Sequence, residues 1–342
     1  MRGKKEFLAR TLEGGGILSL LPHLPSRRRA EVRILAYHRV FDIADEALFP
    51  FDPALISAST ADFREQIEHV ARYFAPVTCA DVLTALDGGK PLPRRAVVIT
   101  FDDGHFDNYT NAFPVLQSLG VPATMFLSTG YIGARGTFWF DQVSNAIFRA
   151  TVDALEMPGL KISLKLSDVA SRRDAADIVR EHLKSVPDRQ RRERIDWLLE
   201  SLKADTTAED AGLSGAMTWD QVREMARAGI EFGSHTVSHP ILTQLDDAAL
   251  ERELVESRTT IAEMTGQPVN IFAYPDGGPK AFDTRVIAAV QRAGYQLGLA
   301  YIPGPNYLNR LNRFAFLRLH VERYTTRARF RAMLELPGIF SI

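Results

Sequence analysis

The strongest constraint on the fold is an alternation. Apolar runs of strand length recur along the chain, and stretches with apolar residues at helical spacing separate many of them. Val32 to Tyr37, Ala96 to Phe101 (AVVITF), Ala123 to Leu127, Ile230 to Gly233, Val269 to Tyr274, Tyr295 to Ala300 and Phe316 to Val321 read as strands. Between them, Asp62 to Phe74 places Phe63, Ile67, Val70 and Phe74 at helical spacing. Asn108 to Leu119 is helical by period and stops at Gly120, a suitable C-cap. Thr218 suits the N-cap of a helix carrying Trp219, Val222 and Met225 and ending near Gly229, and helices follow over Asp247 to Met264 and Phe282 to Arg292. Strand–helix–strand repetition calls for parallel strands with covering helices. Six or seven strands in this order favour a closed or nearly closed barrel over an open sheet, although the pattern alone does not separate the two.

The rhythm breaks between about 141 and 216. Asp141 to about Leu202 reads as mostly helical and charge-rich, with a run Arg189 to Arg194 (RQRRER) expected to be a solvated helix face. A linker rich in Thr, Ala, Asp and Gly follows, from Asp205 to Gly215. The segment is read as a helical insertion, a lid or subdomain, in a unit spanning 31–342. Residues 1–30 are read as an N-terminal arm. There, Arg2, Lys4, Lys5 and Arg10 precede an apolar run from Gly14 to Leu24 that Pro22 breaks and that is too short to span a bilayer. Glu6 and Glu13 interrupt it, and Arg27, Arg28 and Arg29 follow in place of a cleavage site. An arm packed on the domain is the expectation; the sharper alternative is a weak, reversible contact of residues 1–30 with an anionic membrane surface. The single cysteine, Cys79, allows no internal disulfide, and a cytoplasmic location, at most peripheral to a membrane, is expected. A formal net charge of -1 does not favour nucleic acid, which usually selects a basic face, so no such partner is expected.

Chemistry-bearing residues gather where strands end. Thr100-Phe101-Asp102-Asp103-Gly104 sets two carboxylates at the end of the AVVITF strand, where parallel α/β folds collect their ligand sites. Adjacent aspartates repel and call for a cation or a shared proton. Ser234-His235-Thr236-Val237-Ser238-His239-Pro240 follows another strand. On one helical turn His235 and His239 would face the same side, about 5–6 Å apart at Cβ. Two imidazoles and one carboxylate make a three-ligand metal site with room for water. Phe272-Ala273-Tyr274-Pro275-Asp276-Gly277-Gly278 lies at a third strand end, and Arg318, Leu319 and His320 lie in the last strand. His38 also ends a strand and is expected to support the site without ligating a metal. His105 and Asp107 follow the aspartate pair as candidates for substrate contact, with an N-cap as the alternative for Asp107. Phe138, Trp139 and Phe140 suit either sugar stacking or a core.

TFDDG together with SHTVSHP resembles the polysaccharide deacetylases that share a NodB-type homology domain, carbohydrate esterase family 4. The resemblance covers about Arg33 to Glu322 apart from the insert. It implies an α/β fold, a distorted (β/α) barrel of about seven strands. It implies a divalent ion, zinc or else cobalt, manganese or nickel, held by Asp103, His235 and His239, with Asp102 as general base. It implies an acetylated glycan as substrate, which would make the insert a lid or a glycan-contacting subdomain. The backbone N–H of Asp276 corresponds to the family's oxyanion donor, and His320, in a near match to a Leu-x-His motif, to the acid that protonates the leaving amine. One departure stands out: many members carry an arginine where this chain has Ala273, and that arginine orients the catalytic aspartate. Arg318 is expected to replace it, because closing the barrel brings the late strand toward the early one that carries Asp102. The expected activity is metal-dependent removal of N-acetyl groups from an amino-sugar glycan. Alternatives are an O-acetyl esterase, a glycan-binding relative without catalysis, and a non-haem iron oxygenase, since two histidines and a carboxylate also suit iron.

Overall fold

The structure, a computed structural model, describes residues 2–21, 31–134, 136–203, 213–309 and 312–341. Seven strands form the scaffold of the site: β1 (Glu31–Tyr37), β2 (Ala96–Phe101), β3 (Thr124–Leu127), β4 (Glu231–Ser234), β5 (Ile271–Ala273), β6 (Leu297–Leu299) and β7 (Leu319–His320). β1 and β2 are buried along their whole length, which is why they read as unbroken apolar runs. Neighbours pair in parallel in the order β6-β5-β4-β3-β2-β1, and β7 pairs in parallel with the other edge of β1. The gap between β6 and β7 is bridged by the residues leading into β7: Phe316 N–H donates to the Gly298 carbonyl at 2.9 Å and Ala300 N–H to the Phe316 carbonyl at 2.8 Å. The strands thus curve into the expected distorted barrel. Its interior holds Val32, Ile34, Ala96, Val98, Phe126, Ala273, Leu299 and Phe316. Helices cover the outside and pack a larger apolar cluster, with Leu35, Val97, Ile99, Phe63, Ile67, Leu254 and Val286 among its members.

Register decides what reaches the rim. β1 and β2 run level from Val32 opposite Ala96 to Tyr37 opposite Phe101, so His38 and Asp102 leave adjacent strands side by side. Leu127 of β3 and Phe272 of β5 both pair with Ser234 of β4, which brings the loop after β4 to the same level. Side chains alternate along a strand. Ala96 and Val98 point into the barrel. Thr100 and Asp102 continue that face upward.

The insert has a core of its own. Helices Trp139–Phe148, Val169–Lys184 and Asp188–Leu202 and a hairpin of Ala154–Glu156 with Ser163–Lys165 enclose Val143, Ile147, Leu155, Leu164, Val179 and Leu198. The segment is mostly helical as expected, but the arginine run is not wholly solvated: Arg191 is 3% exposed. Most of the Asp205 to Gly215 linker, and Arg27 to Arg29, lie outside the described residues. The arm begins as a helix, Arg2–Gly14, that packs on a C-terminal helix, Arg327–Glu335, through buried Ala9 and a Glu13–Arg331 pair at 2.9 Å. Phe7, Leu8, Ile17 and Leu20 stay exposed, and among the described residues no helix is long and apolar enough to cross a membrane.

Closure through Phe316 carries a measurable cost when lost. Its side chain is fully buried in the barrel interior, so Phe316→Ala is expected to lower unfolding free energy by about 3–5 kcal/mol. Urea denaturation checks this: the midpoint should fall with little change in slope.

Candidate active site

The site lies on the rim at the carboxyl ends of the strands. Asp103 follows β2 with φ of 75°, and Thr236 (70°), His239 (54°) and Asp276 (61°) share the left-handed backbone. These are four of the six non-glycine residues with positive φ among the described residues. Each such conformation costs about 1–3 kcal/mol and persists where surrounding contacts enforce it. Gly104 at φ 90° completes the first turn, where an added Cβ would meet Ile132 and Leu127 at 2.8 Å.

His235 and His239 are therefore not on a helical turn. The loop after β4 is kinked at Thr236 and His239, and the kinks bring the rings to 4.9 Å between centroids. Glu253, from the following helix, accepts from Val237 N–H (2.7 Å), Ser238 N–H (3.0 Å) and Ser238 Oγ (2.6 Å), and so holds the loop. His235 Nδ1 lies 2.8 Å from the Ala273 carbonyl; donating there leaves the Nε2 lone pair facing the site. Asp103 Oδ1 is 3.5 Å from His235 Nε2 and 3.4 Å from His239 Nε2. Two atoms each ~2.1 Å from a shared tetrahedral centre stand ~3.4 Å apart. Oδ1 is also buried without a hydrogen-bond partner, as an oxygen reserved for a cation would be. Burial lowers His239 to about 3, so its imidazole is neutral, the form that ligates metals. The donor set fits a divalent ion.

Beside this cluster, Arg318 grips Asp102 with both arms, Nη1 to Oδ1 at 2.7 Å and Nη2 to Oδ2 at 2.8 Å. The pair is almost fully buried, and Arg318 Nε donates to the Ala300 carbonyl at 3.1 Å. Burial works to raise the Asp102 carboxyl, but the guanidinium outweighs it and holds the group below its ordinary value. Ala273, where the sequence resemblance leads one to expect arginine, is buried in β5, and Arg318, from the segment entering β7 on the far edge of β1, occupies the space next to Asp102.

The two histidines near Asp102 are placed differently. His320 pairs with Ala36, one pleat below His38 on the neighbouring strand. Its ring stacks on Tyr301 at 3.5 Å and 8°, with Nε2 buried and without a partner, and it does not line the cleft. His38 lines the cleft, with Nε2 4.0 Å from Asp102 Oδ2. Burial lowers the His38 pKa against the pull of Asp103 and Asp102. The signal for His38 was in the sequence, a histidine directly after a strand, but its level on the rim is a matter of register.

The cleft measures about 350 Å³. Asp102, Asp103, His235 and His239 open into it, and the insert forms one wall with Trp139, Phe140, Arg180 and Lys184. Lys184 reaches the Asp276 carboxylate at 2.8 Å. The Asp276 N–H has no acceptor among the described residues. The next residue, Gly277, has φ of 61°, and a Cβ there would lie 2.5 Å from Tyr301 N, which donates to the Gly277 carbonyl at 2.8 Å. His105 is fully buried, Nε2 3.4 Å from Asp103 Oδ2, and Asp107 accepts from Arg39 Nε and Val40 N–H, and neither lines the cleft. Phe138 is core, while Trp139 and Phe140 are buried yet reach the cleft wall. A second cavity, about 370 Å³ and lined by Glu65, His69, Arg327 and Arg331, lies away from these residues.

Residues 89–298, more than half of the chain, match the family described as polysaccharide deacetylase. The chain belongs to the polysaccharide deacetylase family. Among curated proteins it is 40% identical over 106 residues to the poly-β-1,6-N-acetyl-D-glucosamine N-deacetylase of Escherichia coli (strain K12), covering 31% of this chain and 15% of that protein. It is 35% identical over 89 residues to the Staphylococcus aureus (strain N315) protein of the same name, covering 26% and 30%. The chain thus spans less than a third of the length of either relative. Among solved structures, the Streptococcus pyogenes deacetylase PplD in complex with acetate shares the fold, with a TM-score of 0.57 at 18% identity over 86% of this chain and 94% of that one.

Loss of Arg318 should show in stability. Arg318→Met leaves Asp102 buried without its partner, which is expected to cost about 3–5 kcal/mol near neutral pH. In the parent chain the lowered Asp102 pKa contributes stability at all pH values above the unfolded carboxylate's. In the variant burial raises that pKa, so stability is regained as pH falls and Asp102 takes up a proton. Urea midpoints at pH 8 and pH 5 should therefore show a gap between parent and variant that narrows at the lower pH.

Proposed function

We propose that the chain is a metal-dependent hydrolase that removes N-acetyl groups from an amino-sugar polysaccharide or oligosaccharide. The observation that carries this reading is a buried Asp102, kept ionised by Arg318, next to the Asp103–His235–His239 cluster in one open cleft. Family membership and the names of the two curated relatives support the N-acetyl substrate class.

Asp103, His235 and His239 would hold the ion; two imidazoles and a carboxylate suit zinc, with cobalt, manganese and nickel as alternatives. When bound, a divalent ion there supplies Lewis acidity, polarising the acetyl carbonyl and lowering the pKa of water toward ~7. Asp102 takes the proton of the attacking water as the new C–O bond forms, which requires the carboxylate to be ionised and turned toward the cleft, as Arg318 ensures. The Asp276 N–H is the oxyanion donor of this chain, on a turn that Gly277 and Lys184 hold in place. As the C–N bond breaks, the amine nitrogen needs a proton. His38, 4.0 Å from Asp102, is placed to carry it there and, with its lowered pKa, holds it only in passing. This gives His38 the role that the family motif suggested for His320. Acetate and a free amine are the products.

Two measurements test the reading. Acetate and free amine should be released in equal amounts from β-1,6-linked N-acetylglucosamine oligomers, stop with a chelator and return with added zinc. Release from O-acetylated xylan alone, or indifference to the chelator, would contradict it. Asp102→Asn should keep metal binding but lose acetate release by roughly 100-fold or more, because an amide cannot accept the water's proton.

A further inference from the structure

The arginine run of the insert and the aromatic triplet at its start are not accounted for by this chemistry, yet they converge on a metal ligand. We propose that Trp139 is a positioning residue for His239, and that Arg191 keeps Trp139 in place; the proposal rests on reading Asp103, His235 and His239 as a metal centre.

The two histidines are held in different ways. His235 has its ring fixed from behind, Nδ1 against the Ala273 carbonyl at 2.8 Å. His239 has no such tether, since its Nδ1 is buried without a partner. What sets the direction of its Nε2 is the backbone it hangs from and the surfaces its ring touches. That backbone is in the left-handed region at φ 54°, which few non-glycine residues adopt and which its surrounding contacts hold. Thr236 Oγ1 accepts from the His239 N–H at 3.0 Å, and Trp139 Nε1 donates to the His239 carbonyl at 3.0 Å. The next residue of the insert, Phe140, sets its ring against the imidazole at 5.3 Å and 68°. Two of these three restraints come from the insert.

Trp139 is itself fixed. Its indole is 5% exposed, and the Arg191 guanidinium lies 4.8 Å from the ring centroid. Arg191 is bound by Asp188, one turn earlier on the same helix, which accepts from Nε at 3.1 Å and from Nη2. A chain of contacts therefore runs Asp188–Arg191–Trp139–His239 from the third helix of the insert to the ion site. A hydrophobic residue of the same shape in place of Trp139 fills the space but frees the carbonyl and relaxes the kink. Groups that orient a ligand in this way are worth about 10–100-fold in metal affinity.

The test uses the full chain and reads zinc affinity by competition with a chromophoric chelator, together with melting of the metal-free protein. Trp139→Phe keeps an aromatic ring and loses the N–H; its Kd for zinc should rise by about 10-fold or more. Arg191→Met should move Kd in the same direction by less. Val179→Ala, in the core of the insert and not itself a member of this chain of contacts, should lower the metal-free melting temperature and leave Kd unchanged. An unchanged Kd in both Trp139→Phe and Arg191→Met overturns the proposal, as does a Kd that rises in Val179→Ala as much as in Trp139→Phe. Failure of the unsubstituted chain to bind zinc is a separate result, and it overturns the metal centre itself.

Discussion

The bidentate Arg318–Asp102 pair is the interaction on which the rest depends. It joins the segment entering β7 to the end of β2, so that closing the fold and setting the charge of the buried Asp102 carboxylate become one event. A buried aspartate beside a second aspartate would take up a proton without it. A buried arginine without a carboxylate would be equally costly. Each group makes the other tolerable, and the Ala300 carbonyl fixes the guanidinium in the plane that meets both oxygens.

Much of the scaffold was legible. The AVVITF run is a strand at its stated bounds because it is covered on both faces, and no other element of that length suits so apolar a sequence. The position of Arg318 was also readable, since a parallel barrel must bring its last strand against its first. Other features were not. The His-x-x-x-His spacing pointed to a pair that does come together, but through the wrong geometry: a helical turn and a doubly kinked loop both bring such residues together, and the loop kinked at β-branched Thr236 is held at Val237 and Ser238 by Glu253 of the following helix. The family motif put His320 ahead of His38 as the acid, because their difference in height, one pleat, is revealed only by the pairing of Ala36 with His320. Arg191 looked like part of a solvated face, and its burial depends on Trp139, which lies in a different helix.

The insert changes how the cleft is understood. A βα barrel presents its chemistry at the strand ends, and loops there tune what may enter. Here the insert is a small packed body with its own core, and among its contacts with the rest of the barrel are Trp139 at the His239 loop, Lys184 at the Asp276 loop and Arg180 at Asp52. The His239 and Asp276 loops both carry left-handed non-glycine residues. The energy stored in those kinks is offset by contacts from the insert and from Glu253, and the geometry of the proposed ion site and of the proposed oxyanion donor follows from the same contacts.

The central claim is that Asp103, His235 and His239 together bind one catalytic ion. X-ray absorption spectroscopy of the protein loaded with one equivalent of zinc addresses it most directly. The account predicts two imidazole nitrogens and oxygen ligands at about 2.0–2.2 Å, with one imidazole lost in His239→Ala. A spectrum with sulfur ligation, or one left unchanged by His239→Ala, would contradict it.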